Sequence, residues 1–413
     1  MKFTLTRVFV LTALVLQGCV GTQQTLVQLP PTGEHTQLKV SLFPYLPDVA
    51  RDKFKSMMQR IEQEFEHSNP DVDLVLRAMD DASNPYDLKA IQSRFTATDP
   101  NASDVIEIDT VMLGEVVKAG LIQPFPATEE SSDWLSAARA ASHFNGTLYG
   151  LPHWLCGHFI ISRDPAVLTV HSASDLTKFL GPNLGNVEPL SGNLLGSWNL
   201  PCLYLDAWAD AHGPGGLGSA ISPTLDKSVT ASLAAVASEE TMDGANPGLN
   251  GKYDAAPDLA AINFVQGKAK ALIGYSERLN VVLKNRTDAT PLHITSACLG
   301  EGNHPLAFTD VLVIRKDASP ALVGAAARFA KYLTAVPTYT WMHNSEDAPV
   351  GQRTPRYLSP ATRSAYRNSP MKNDPLVQEI YAVMKRADIF PQTGLLETRK
   401  AMRDAILEAI KKP

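Results

Sequence analysis

Cysteine is scarce in this chain, with four in 413 residues. Neither a Cys-x-x-Cys nor a His-x-x-x-His spacing occurs, so the usual zinc-ligand patterns are missing and no metal is expected. Basic clusters are missing too. Lys and Arg total 37 against 43 Asp and Glu, for a formal charge of −6. No Lys/Arg block stands out, which argues against a nucleic-acid partner. The 29 prolines and 26 glycines are scattered, which excludes repeat arrays and low-complexity segments. The apolar run Val8 to Leu16 is too short to span a bilayer as a mature helix. What is present is an ordinary globular balance, 44% hydrophobic and 19% charged, in a chain long enough for two lobes with separate cores.

The N-terminus reads as a targeting segment. Lys2 and Arg7 supply positive charge ahead of the apolar run, and Leu16-Gln17-Gly18-Cys19 follows. This resembles a bacterial lipoprotein signal, which implies removal of residues 1–18 and lipidation of Cys19. The alternative is an ordinary secretory signal that contains a cysteine. Either way the expected location is the cell envelope, as a lipid-anchored periplasmic or outer-membrane lipoprotein, or outside the cell. Residues 19–37 lack an apolar period and read as a lipid-anchored tether. Three cysteines then remain. Either Cys202 and Cys298 pair and leave Cys156 free, or all three are unpaired thiols acting as small hydrophobes.

Beyond the tether, strand and helix patterns alternate. Leu38–Phe43, Asp73–Arg77 and Asp104–Ile108 read as strands. Val49, Phe54, Met57, Met58, Ile61 and Phe65 share a helix face, and Asn69-Pro70 ends that helix. Helices are also expected at Leu88–Phe95, Val111–Val117, Ala173–Leu180, after Leu200, at Leu259–Gly267 and at Leu396–Ile410. Ser319 and Pro320 open another, running to Leu333. Ala269–Ile273 and Ala307–Ile314 complete the strands. The pattern implies an α/β fold of two hinged, periplasmic-binding-protein-like lobes with a ligand cleft between them. Residues 38–148 with about 303–345 form the first lobe; 149–302 with about 346–413 form the second. Asn145-Gly146-Thr147 reads as a turn.

The strand ends hold Phe43-Pro44-Tyr45, Asp109, Cys156, Tyr275-Ser276-Glu277 and Phe308-Thr309-Asp310. Ligands of open α/β sheets bind outside the carboxyl ends of strands. Acids interleaved with aromatics suit a flat, nitrogen-rich, cationic ligand, because ring faces attract charge and carboxylates accept from amino groups. A cysteine at a cleft mouth is unneeded by a receptor, and a thiolate with a nearby base is a nucleophile. His153 and His158 flank it, so a Cys-His hydrolase pair is a competing reading, but no oxyanion-type glycine run supports it. Trp198, Trp208 and Trp341 suit core and pocket equally.

The run Tyr149 to Arg163, the segment Gly196 to Pro201 with Tyr204-Leu205-Asp206, and Ile273 to Glu277 resemble thiaminase I (thiamine pyridinylase). That family is built on the group II periplasmic-binding-protein fold, and the resemblance runs from about Leu38 to the C-terminus. It implies Cys156 as nucleophile and Glu277 as its base. It implies Asp109 and Asp310 as carboxylates holding an aminopyrimidine, and Tyr45 and Tyr275 as pocket tyrosines. Phe43 and Phe308 stand where the family has tyrosine, so stacking is kept and hydroxyls are lost. Asp133 is one candidate for a further pocket acid. The resemblance implies no cofactor, a monomer, and as partners thiamine and a nucleophilic co-substrate, an amine or a thiol. The alternative on the same fold is a lipid-anchored solute-binding protein for thiamine or a related small ligand.

Overall fold

The computed structural model describes residues 35–42, 46–79, 85–96, 102–182, 187–241 and 244–411. The strands are β1 (Thr36–Leu42), β2 (Val72–Ala78), β3 (Val105–Asp109), β4 (His143–Phe144), β5 (Thr147–Leu148), β6 (Gly150–Cys156), β7 (Phe159–Ser162), β8 (Glu188–Ser191), β9 (Ala269–Gly274), β10 (His293–Ser296), β11 (Leu306–Ile314), β12 (Ser359–Pro360) and β13 (Asp388–Ile389). They form a larger sheet in the order β12-β6-β11-β3-β1-β2, with β13 joined to β11, and a smaller one in the order β10-β7-β9-β8. β4 and β5 make a hairpin. Its two-residue connection, Asn145-Gly146, has φ of 50° and 77°, the pairing of left-handed residues that a tight hairpin demands.

Alternation drives the strands inward. Leu38, Val40 and Leu42 of β1 are buried, and β1 lies parallel to both β2 and β3. Parallel neighbours need a crossover, which the helix Lys55–Ser68 supplies, burying Met57, Met58, Ile61 and Phe65. That helix starts later than its apolar spacing suggests, because Arg51, Lys53 and Phe54 take left-handed backbone with φ of 56°, 59° and 63°. Such residues cannot propagate a right-handed helix. The helix Pro320–Leu333 begins at the expected cap: the Leu322 N–H donates to Ser319 Oγ at 3.3 Å.

The chain changes sheets after β6, not before it. β6 is bonded between β11 and β12 as far as Cys156, and Phe159 opens β7 in the smaller sheet. The expected change at residue 149 is therefore too early as a matter of strand pairing. Gly157 makes the passage possible: a Cβ there would stand 2.9 Å from the Leu306 carbonyl oxygen and 3.0 Å from Met384 Cε, too close for any side chain. The return to the larger sheet lies between β10 and β11. β12 and β13 also rejoin the larger sheet, although the tail from residue 346 was expected with the other lobe. Two-residue strands carry no readable alternation. The closing helix Leu395–Lys411 packs on the helices Asn199–His212 and Lys227–Ser238.

Two apolar clusters hold these layers. One takes Leu38, Val40, Phe159 and Ile161; the other takes Ile106, Ile108, Ile160 and Val313. Each cluster draws strand residues from both sheets, so the cores run across the sheet-to-sheet passage and Thr36–Pro413 forms one compact unit. No helix among the described residues is long and apolar enough to cross a membrane.

Candidate active site

Register assembles the centre of the site. In the antiparallel pairing of β11 with β3, Asp310 lies opposite Asp109. In its pairing with β6, Phe308 lies opposite Cys156. Directly opposed residues share a sheet face, with Cα atoms roughly 4.5–5.5 Å apart. All four line one cavity of about 860 Å³, a volume suited to a ligand of several rings. β11 runs against β3 and β6. The segment Phe308–Asp310 therefore sits near the start of its strand, not at a carboxyl end as expected, and still reaches the same sheet edge.

The smaller sheet closes the other wall. β9 ends at Gly274, and the turn Tyr275-Ser276-Glu277 leads into the helix Arg278–Asn285. Ser276 Oγ donates to the Tyr357 carbonyl at 2.7 Å, which pins the turn. Glu277 occupies the cap position of that helix, yet its carboxylate makes no capping hydrogen bond. It lines the cavity instead. Tyr275 is steadied by its hydroxyl, which donates to Asn199 Oδ1 at 3.2 Å.

The electrostatics are unusual for a pocket this acidic. Burial raises Asp109 to about 7, against hydrogen bonds from the Val111 N–H at 3.0 Å and the Tyr86 hydroxyl at 3.5 Å. Asp310 is pushed well up by burial and then by the charges of Glu107, Asp109 and Glu277. Burial also lifts Glu277, while Arg278, a backbone N–H and His158 pull it down. The Cys156 thiol is driven well above its ordinary range by burial, then by Glu277, Asp310 and Asp109. Burial and these acids favour the thiol form of Cys156, and a cation among them would offset the field.

Tyr86, Glu107 and Arg399 were not singled out from sequence. Tyr86 and Trp198 pack at 4.7 Å between ring centroids and line the cavity, and Arg399 lies 4.3 Å over the Trp198 ring. Trp198 thus belongs to the pocket, whereas Trp208 packs on His212 and Trp341 lies under Arg60. His153 is the residue that β6 adds at the irregularity opposite Asp310 and Val311; its Nδ1 meets Glu107 Oε1 at 2.5 Å. His158 Nδ1 meets Asp206 Oδ2 at 2.6 Å, with both side chains buried. The alternation of histidines around Cys156 was a usable signal; the acids that hold them lie on distant elements.

Other expectations fare differently. Phe43 and Tyr45 lie outside the described residues, as does Cys19. Asp133 is not among the residues lining the cavity; it accepts from the Ser364 N–H at 3.1 Å and caps the helix Arg363–Arg367. Cys156, Cys202 and Cys298 are all unpaired, so no Cys202–Cys298 bridge forms. Among the described residues no group of three or more His, Cys, Asp or Glu is arranged to hold a metal.

Comparison with known proteins gives three likenesses. Residues 60–378 match the model of a family described as bacterial extracellular solute-binding protein. The chain is 25% identical over 363 residues to thiaminase-1 of Paenibacillus thiaminolyticus, covering 84% of this chain and 81% of the relative. Among solved structures it is similar to thiaminase I from Bacillus thiaminolyticus, at a TM-score of 0.71, with 22% identity over 91% of this chain and 99% of that one. The same score and identity hold for Clostridium botulinum thiaminase I in complex with thiamin, over 91% of this chain and all of that one. The fold is accordingly the two-lobe, type II periplasmic-binding-protein fold.

Proposed function

This chain belongs to the bacterial extracellular solute-binding protein family, and from that premise we propose that its cleft works as the active site of a thiamine-cleaving transferase of the pyridinylase type. The observation that carries the reading is the convergence on one cavity of a cysteine thiol, an uncapped glutamate, two cross-strand aspartates and the rings of Tyr275, Phe308, Trp198 and Tyr86. A solute receptor has no use for the first two. The similarity to thiaminase I supports a thiamine-directed function.

Thiamine joins an aminopyrimidine to a thiazolium through a methylene. Asp109 and Asp310 hold the amino group and offset the cation, and the rings hold the faces. Cation binding offsets the acids around Cys156, and Glu277 then takes the thiol proton. The thiolate adds to the pyrimidine carbon next to a ring nitrogen, while that nitrogen is protonated. Neutral thiazole departs and leaves an electrophilic methylene. An amine or thiol adds there, and reversal of the thiolate addition frees Cys156. Dividing one displacement into two additions is what covalent catalysis contributes. Tyr45 and Phe43 would complete the aromatic wall, and two lobes exchange strands at Gly157-His158 and between β10 and β11. The chain works as a monomer, tethered by a lipidated Cys19.

The test is direct. Purified protein is incubated with thiamine and either pyridine or aniline, and free thiazole is sought. Release of thiazole supports the enzyme. Family membership favours one second reading, a receptor for thiamine or a related solute; tight binding with no cleavage by any amine or thiol would establish that instead.

A further inference from the structure

Cys156 and the turn that carries Glu277 belong to different sheets. Cys156 ends β6 in the larger sheet, and Glu277 follows β9 in the smaller one. Register brings the two strands near each other, since Phe159, which opens β7 just past Cys156, lies opposite Gly274. Beyond Gly274 the chain has left the sheet. Glu277 does not anchor itself there, because its carboxylate makes no capping hydrogen bond. The placement of that carboxylate falls to the backbone around it.

One short segment, residues 354–361, holds that backbone. The Thr354 and Pro355 carbonyls each accept from Asn280 Nδ2 at 3.0 Å, on the helix that Glu277 opens. The Tyr357 carbonyl accepts from Ser276 Oγ at 2.7 Å, next to Glu277. Ser359 and Pro360 then pair with Leu155 and Trp154 of β6, and the Ala361 N–H donates to the His153 carbonyl at 3.1 Å. Tyr357 touches the turn of the base and Ser359 the strand of the nucleophile, and the chain between them spans at most roughly 7 Å. Ser276, Asn280 and Ser359 are all buried, so water does not compete for these bonds.

The segment is itself held hard. Arg356 is fully buried and grips Asp347 through two hydrogen bonds of 2.7 Å, while its Nε donates to the Pro47 carbonyl at 2.9 Å. Tyr357 has a φ of 52°, a left-handed conformation that a bulky residue keeps only where its surroundings impose it. Its hydroxyl donates to Asp374 Oδ2 at 3.0 Å.

We propose that residues 354–361 form a strap that sets Glu277 against Cys156, and that Ser276 is the positioning residue through which the strap acts. The inference rests on the thiamine-cleaving reading of the cleft. A general base must come within about 2.6–3.2 Å of the group whose proton it takes, and a misplacement of about 1 Å can cost about 10²-fold in rate. With its hydroxyl turned to the strap, Ser276 works through Glu277 and not on the substrate.

The experiment is a double-mutant cycle on kcat for thiazole release: wild type, Ser276→Ala, Glu277→Gln and the two combined. Ser276→Ala deletes one oxygen and adds no bulk. It should lower kcat by about tenfold to 10²-fold when Glu277 is present. In the Glu277→Gln background it should change kcat by less than about twofold, because no base is left to place. Damage to the fold alone would cost the same in both backgrounds. Calorimetry in the Cys156→Ser background should show thiamine affinity unchanged by Ser276→Ala. Asn280→Ala frees two strap carbonyls and should show the same dependence on Glu277; it decides the matter should Ser276→Ala not fold. Equal fold-losses in the two backgrounds, or a loss below about threefold in the first, would overturn the assignment. Wild type that releases no thiazole with pyridine or aniline would instead bring down the reading of the site, a separate and recognisable result.

Discussion

Cys156 sits among three carboxylates that oppose its ionisation, so its reactivity depends on what enters the cleft. Cys156→Ser is expected to bind thiamine near normally and to lose turnover, because a serine hydroxyl is a far weaker nucleophile. Glu277→Gln should also bind, with kcat down by about 10²–10⁴-fold, the usual worth of a general base. Calorimetric affinity beside a thiazole assay checks both; near-normal turnover in Cys156→Ser would rule out covalent attack from this residue. Asp109 supplies a pH signature. Its folded pKa of about 7 stands above the ordinary aspartate value of 3.8, so between those values the folded state binds more protons than the unfolded one. Its contribution to stability is therefore present at low pH and is lost as pH rises towards 7. A bound cation favours the carboxylate, so thiamine affinity in Cys156→Ser should rise from pH 5 to 8. Asp109→Asn should flatten that rise; a profile that stays as steep without Asp109 would contradict the assignment.

At the scale of elements, the helix Asn199–His212 works as a clamp as well as a wall. Asp210, near its end, accepts from the Leu299 N–H at 2.8 Å, the Gly300 N–H at 3.2 Å and the His304 N–H at 2.7 Å. It thereby fixes the segment by which the chain returns from β10 to β11. Gly300 allows the approach: a Cβ there would stand 2.2 Å from the Ala207 carbonyl oxygen. Asp210→Ala strands three donors, two of them on buried residues, at a cost of about 3 kcal/mol in stability. Denaturant unfolding measures it, and a change below about 0.5 kcal/mol would show that water replaces the carboxylate freely. The elements themselves were largely legible: Ala173–Leu180 and Pro320–Leu333 occur at their expected bounds, since each has an N-cap serine and an apolar face. The helix after Pro44 was placed early, because apolar spacing alone does not report the left-handed residues before Lys55.

For the whole molecule, the fold joins two sheets through short passages at which small residues let strands cross closely. A cleft between two such sheets has a wall from each, and closing it on a ligand excludes water from the acids and the thiol. If residues 1–18 are a lipoprotein signal, Cys19→Ser should move the protein from the membrane fraction of cells to the soluble one, followed by fractionation and immunoblotting. Retention in membranes by the variant would exclude a lipid on Cys19 as the anchor.

Sequence by itself determined the alternation of strands and helices, the scarcity of metal-ligand patterns, and the residue types at the strand ends. Those follow from local periodicity and from motif residues that stand next to one another in the chain. Tertiary structure decided the rest. Only strand register sets Asp109 against Asp310 and Cys156 against Phe308, and only packing brings Asp206 to His158 and Glu107 to His153. It also removed Asp133 from the pocket and delayed the change of sheets to Gly157. The reason is physical: a hydrogen-bond register and a buried charge field are properties of segments distant in the chain. Neither leaves a periodic trace in any one of them.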